Sequence, residues 1–383
     1  MHFAFTEQQS EFRDAVRQVL AKECSPDDLR RAYDAPAART PRWEVLAELG
    51  VVGLTVPGDR GGLGLGLVDL VLILEEAGRV ALPEPLLETT ALAAPLMAGL
   101  AGSAGSAGSA GSGGVGPDRL DAWLAGMAAG TVAAAVAEHP STPVPVPVPD
   151  PVADADTDTV ADADTDAVPV SGADGADLLV LLARGDGGPE IHLVGADEVT
   201  VDPRPSLDPT RRLGLPRWTP SAATRVATGE AARAAIGRTA DRGAVAAAAE
   251  LLGLSDRMIS VTADYARARH QFGRPIGSFQ AVKHLLAGAQ VKLEFARPVV
   301  YAAAWSLDSD DPEGTRAASV AKAYASDTAM EAARVALQVH GALGYTWECD
   351  LHLFLKRAWA LSEAWGSAAD HRQRVLDRLT GAD

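Results

Sequence analysis

The densest run of side chains able to do chemistry is Arg267-Ala268-Arg269-His270-Gln271-Phe272-Gly273-Arg274-Pro275-Ile276-Gly277-Ser278-Phe279-Gln280. Leu251, Leu254, Met258, Val261 and Tyr265 lead into it at spacings of 3, 4, 3 and 4, one apolar helical stripe. The spacing predicts a long helix ending near Gly273, stopped by Pro275, with Ser278 capping the next helix. Arginines at a helix C-terminus complement its dipole. A guanidinium fork held there by a following aromatic also suits a phosphate or pyrophosphate. Composition alone leaves both readings open. A second run, Gln338-Val339-His340-Gly341-Ala342-Leu343-Gly344-Tyr345, also has two readings. Gly341 can be an ordinary helix cap. Glycine without a Cβ also lets backbone come close to a ligand.

Arg269-x-x-Phe272-Gly273-x-Pro275-Ile276-x-x-Phe279-Gln280 resembles, without a gap, the signature of the acyl-CoA dehydrogenases. The resemblance implies that Arg269 contacts the pyrophosphate of FAD, that Phe272 packs nearby and that Gln280 faces the cofactor. Gln338 to Tyr345 resembles the family's Gln-x-x-Gly-Gly-x-Gly-Tyr turn, with Ala342 replacing one glycine. By that likeness Gln338 and Gly341 approach the adenosine end of FAD. Trp43 to Gly53, Val56-Pro57, Gly61 to Gly64 and Glu75 to Gly78 follow in the family's order. The glycines at 61–66 lie among helical patterns rather than in a βαβ unit, which argues against a dinucleotide loop. The implied fold is mainly α with a small β domain: an N-terminal helical domain, a middle β domain and a C-terminal four-helix bundle.

The implied reaction removes a proton and a hydride from the Cα–Cβ bond of an acyl thioester, on CoA or a carrier protein. A positioned carboxylate must take the proton. The family places that Glu at one of two points, which here are Trp365 and Gly243. Neither is a base, so no catalytic residue is assigned. Asp241, Glu250 and Glu363 are the nearest carboxylates. The family's Thr-Glu-Pro…Gly-Ser-Asp segment, which lines the flavin ring, is also missing. In the family FAD lies across a subunit interface. This chain keeps the half it would offer a neighbour and lacks much of the half it would use itself. Three readings stay open: a subunit acting through an acyl-CoA dehydrogenase-like partner in a homo- or hetero-oligomer, a self-sufficient enzyme with a displaced base such as Asp241 or Glu363, and a non-redox scaffold.

The elements that must position these residues follow from patterning. The 383 residues suit two or three domains of about 100–200 residues each. The expected divisions are 1–115, helical; 116–225, a reduced β domain with a low-complexity insert at 139–170; and 226–383, helical. Thr6 can cap a first helix, Gly50 can end one holding Trp43, and others should cover 67–80, 121–129, 278–307, 312–342 and 350–380. Strands are expected at 176–182, 190–194 and 199–201, with a hairpin turn at 185–188. Residues 101–114 repeat Ala, Gly and Ser, a flexible insert with nothing to pack. Seven aspartates between 150 and 166 read as a solvated linker rather than a calcium loop, which needs a turn glycine and a bidentate carboxylate.

A net charge of −17 argues against nucleic acid and anionic membranes as partners. An anionic ligand therefore needs the local cluster of Arg267, Arg269, Arg274, Lys283 and Lys292. Cys24 and Cys349 have no metal spacing and read as free thiols in a reducing cytoplasm. No signal peptide and no membrane-inserting stretch is expected.

Overall fold

The computed structural model describes residues 4–36, 40–104, 115–138, 168–185 and 187–381. The first layer is helical: α1 (Glu7–Glu23), α2 (Pro26–Asp34), α3 (Pro41–Glu48), α4 (Leu67–Arg79), α5 (Ala94–Ala104) and α6 (Pro117–Ala128). Thr6 starts α1 as expected. Its hydroxyl accepts from Gln9 N–H, and the Gln9 side chain accepts from Thr6 N–H. Gly50, at φ +80°, ends the Trp43 helix region. Residues 87–93 form a π-helix that the patterning did not predict. Its threonines tie it to its neighbours: Thr90 donates to Val52 O at 2.9 Å, and Thr89 Oγ1 accepts from Ala134 N–H at 2.9 Å.

The middle layer is a four-stranded sheet in the order β1 (Ala134–Val136), β2 (Leu178–Gly185), β3 (Gly188–Gly195) and β6 (Arg225–Thr228). A two-stranded ribbon joins β4 (Thr200–Pro203) to β5 (Gly214–Arg217). The hairpin expected at 185–188 is present, with Gly185 opposite Gly188. Strands β1, β5 and β6 are additions to the sequence reading; β1 is only 3 residues long and pairs in parallel with β2. So short an apolar run has no readable period by itself. The Asp-rich stretch at 150–166 and most of the Ala-Gly-Ser repeat lie outside the described residues.

The third layer comprises α7 (Gly229–Ala268), α8 (Gln280–Asp308), α9 (Gly314–His340), α10 (Leu351–Glu363) and α11 (Ala368–Thr380). The single helix expected over 350–380 is two, broken by the 364–367 turn. The first of the two ends before Trp365 and Gly366, which both hold positive φ. Helix α7 packs on α4, α8 and α9. Its centre, Ala244 to Ala249, is fully buried. Small side chains let the backbones close up. A Cβ on Gly253 would stand 2.5 Å from Arg79 N, and one on Gly78 would stand 2.7 Å from Glu250 Cα. Both clashes are with backbone, so α4 and α7 need these glycines.

No helix among the described residues is long and apolar enough to cross a membrane. Cys24 is buried and Cys349 half-buried, both as free thiols.

Candidate functional site

Helix α7 ends at Ala268, earlier than the patterning predicts, because the chain turns at once into a hairpin. Strands β7 (His270–Gln271) and β8 (Arg274–Pro275) pair across Phe272 and Gly273. Both tip residues have positive φ, +53° and +77°. A two-residue hairpin loop needs that geometry, which glycine adopts freely and phenylalanine does not. Phe272 is 92% exposed and touches Phe279 edge-on, with ring centroids 6.1 Å apart. The Arg274 guanidinium lies 4.1 Å over the Phe279 ring. Ser278 does not cap α8. Residues 276–278 form a 3-10 turn, and Phe279 is the N-cap with no side-chain bond.

Arg269 caps α7 through its backbone, donating to Tyr265 O at 2.8 Å. Its side chain is exposed and bonds to no described residue. Gln280 is exposed at the start of α8.

The second run sits at the end of α9. Gln338 is exposed in the last turn, and Gly341 is the C-cap at φ +60°. The capping role of Gly341 is therefore real, and it leaves Gly341 exposed. The two runs meet because Tyr265, one turn before Arg269, stacks on His340 with centroids 4.4 Å apart and planes 18° apart. The His340 imidazole is further fixed by a 2.8 Å bond to Ala336 O. Burial outweighs that bond and pushes its pKa down, keeping the ring neutral. Arg269, Phe272 and Gln280 thus share one end of the bundle with Gln338 and Gly341. Sequence reasoning missed the Tyr265–His340 stack that joins them.

The other half differs. Gly243 lies inside α7, and Trp365 lies in the 364–367 turn at φ +58°, only 9% exposed. They touch: a Cβ on Gly243 would stand 2.5 Å from Trp365 Cε3 and 2.8 Å from its Cγ. The indole fills the space above the glycine.

Residues 6–99 match the family described as acyl-CoA dehydrogenase, N-terminal domain, and residues 233–380 match acyl-CoA dehydrogenase, C-terminal domain. The acyl-CoA dehydrogenase IpdE2 of Mycobacterium tuberculosis is 30% identical over 97% of this chain and 96% of its own length. The chain belongs to the acyl-CoA dehydrogenase family. The IpdE2 of Mycolicibacterium smegmatis is 29% identical over 97% of this chain and 98% of its own. Among solved structures, the ChsE4–ChsE5 complex from Mycobacterium tuberculosis superposes with a TM-score of 0.78 at 24% identity, covering 99% of both chains. The steroid ACAD Tcur3481–Tcur3483 gives 0.77 at 28% identity, covering 98% of both.

Within this acyl-CoA dehydrogenase fold, the three carboxylates nearest the family's base positions have different fates. Asp241 is buried and committed, accepting from Thr315 Oγ1 at 2.7 Å and Arg374 at 2.8 Å. Glu363 is exposed on the rim of a cleft of about 460 Å³ that also holds Met330 and Trp359. Glu250, two turns beyond Gly243 on α7, is buried without a hydrogen bond to any described residue. Burial raises its pKa to about 7, opposed by Arg357 and reinforced by Glu88.

The turn carrying Trp365 is pinned from three sides. Glu138 accepts from Trp365 N–H at 2.8 Å, and His371 Nε2 donates to Trp365 O at 2.8 Å. The Lys322 ammonium, fully buried, donates to Ser362 O and Gly366 O at 2.9 Å each. Burial brings its pKa down to about 8, while Glu138 and Glu363 favour the charge. Lys322 was legible in principle: it stands among Ala318, Ala321, Ala325 and Ala329 on the buried stripe of α9. Glu138 and His371 carry no such signal.

Proposed function

We propose that this chain is a subunit of an FAD-dependent enzyme that dehydrogenates an acyl thioester at Cα–Cβ, and that it acts chiefly through a related partner chain. The contact between Gly243 and Trp365 carries the reading. Both positions at which the family places its carboxylate are occupied without one, and the indole takes up the intervening space. Neither Asp241 nor Glu363 replaces it: one is held by Arg374 and Thr315, the other faces solvent.

The opposite end fits a cofactor. The Arg269 guanidinium is exposed and bonds to no described residue, suited to a pyrophosphate oxygen. Phe272 is held in a strained backbone with almost no packing of its own, which favours presentation to a neighbour. Gln280, Gln338 and Gly341 border the same surface. Bound FAD would supply the hydride acceptor. This chain's residues hold its phosphate and adenosine end; the thioester and the proton-abstracting carboxylate belong to the partner. The similar structures that are two-chain assemblies support a partner of the same fold.

The test is the visible spectrum of the purified chain, alone and co-expressed with a related acyl-CoA dehydrogenase chain. The expected result is little flavin alone, and flavin with dye-reducing activity in the pair. Full flavin content and activity in the lone chain overturns the subunit reading. No flavin under any pairing favours a non-redox scaffold of the same fold.

A further inference from the structure

Helices α7 and α9 end side by side. Ala266 is the last buried residue of α7, and His340 is the last of α9. Beyond them, residues 267–274 and 341–343 are exposed. The Tyr265–His340 stack therefore belongs to the final packed layer between the two helices. Both sides of it are fixed. The His340 Nδ1–H donates to Ala336 O at 2.8 Å, which holds the ring's rotation. Gly344 closes on the same residue: a Cβ there would stand 3.1 Å from His340 Cβ and 3.1 Å from Leu337 Cδ1. On the α7 side, Arg269 N–H donates to Tyr265 O and Ile276 N–H to Arg269 O, both at 2.8 Å. A Cβ on Gly277 would stand 3.0 Å from Ala266 O, so the chain after the hairpin lies on the last turn of α7. A continuous set of short contacts thus runs from residues 276–277, through the stack, to residues 341–344.

The segments joined in this way carry three polar side chains, Arg269, Gln280 and Gln338, all exposed and bonded to no described residue. Arg269 and Gln280 move with α7, and Gln338 and Gly341 move with α9. A ligand touching both sides gains from its second contact only if the separation of the two sides is already set. Two flat rings held nearly parallel, at 18° and 4.4 Å, define one separation. An aliphatic side chain in the place of either ring repacks to another.

We propose that Tyr265 and His340 are positioning residues: their stack sets the spacing between the pyrophosphate contact of α7 and the adenosine contact of α9, so that one ADP group engages both. The inference rests on the reading of this end of the bundle as the flavin's phosphate and adenosine site. It adds a division of labour. Arg269 alone suffices for pyrophosphate, while the stack is needed only by a ligand long enough to touch both helices.

Ligand-observed NMR titration of the purified chain with ADP and with inorganic pyrophosphate tests it. The wild-type chain is expected to bind ADP at least about tenfold more tightly than pyrophosphate. His340→Leu and Tyr265→Leu should each abolish that advantage, about tenfold in ADP affinity, and leave pyrophosphate binding unchanged. His340→Phe and Tyr265→Phe keep a flat ring and should keep the advantage, which separates the stack from the hydrogen bond to Ala336 O. Circular dichroism confirms that each variant is folded, and the two Phe variants test the proposal even if a Leu variant is not. Unchanged ADP affinity in both Leu variants overturns the proposal. So does equal loss of ADP and pyrophosphate, which makes the stack a support of the fold alone, or failure of both Phe variants to keep the advantage. A wild-type chain that binds neither probe overturns the flavin-end reading itself, and this inference with it.

Discussion

Trp365 lies against Gly243, its indole filling the volume that any side chain on Gly243 would need. The two residues are on different elements, α7 and the turn between α10 and α11. Their sizes are complementary, large on one side and absent on the other. Gly243→Ala should therefore destabilise by about 2 kcal/mol through overpacking. Trp365→Ala should cost about 3–5 kcal/mol. The double substitution should cost less than the sum, because the new methyl enters the space the indole leaves. Urea denaturation of the four proteins measures the coupling; strict additivity contradicts the packing.

Glu250 gives the chain a pH dependence of defined sign. Its pKa in the folded chain is about 7, above the ordinary 4.5. The folded state therefore keeps a proton that the unfolded state releases. The stability this contributes is full below about pH 4.5 and is lost as pH rises through about 7. Glu250→Gln should leave stability little changed in acid and raise it by about 3 kcal/mol near pH 8. Melting curves across that range read the difference. A constant offset between wild type and variant would refute the raised pKa.

Arg269 offers the opposite signature. It is exposed and bonds to no described residue, so Arg269→Gln should change stability by less than about 0.5 kcal/mol. In the assembled pair of chains, flavin affinity should fall about 10- to 100-fold with the loss of one charged hydrogen bond. Fluorescence titration with FAD measures it, and unchanged affinity removes Arg269 from the site.

Phe272 separates strain from function. At φ +53° with 92% of its surface exposed, it contributes little to the folded chain by itself. Phe272→Gly should stabilise the isolated chain by about 1 kcal/mol by relieving the backbone. The same change should weaken assembly or flavin retention in the pair. A lone-chain Tm that falls would show that the ring matters to its own fold.

Much of the fold was legible in local pattern. The 3-and-4 spacing from Leu251 to Tyr265 marks the long helix, and paired apolar runs around Gly185 mark the hairpin, because both depend on neighbours a few residues away. The order of helical, β and helical layers, and the run from Arg269 to Gln280, could be read for the same reason. Pattern failed at junctions. The break at 364–367 and the hairpin at Phe272 rest on positive φ at non-glycine residues, which no propensity favours. Sequence also showed that Trp365 and Gly243 are not bases, and named Asp241, Glu250 and Glu363 as the carboxylates in question. Only tertiary structure placed the indole on the glycine, tied Asp241 to Arg374 and buried Glu250 between the layers. Packing and desolvation are set by which surfaces meet across layers, and residues far apart in the chain carry no local signal of that meeting.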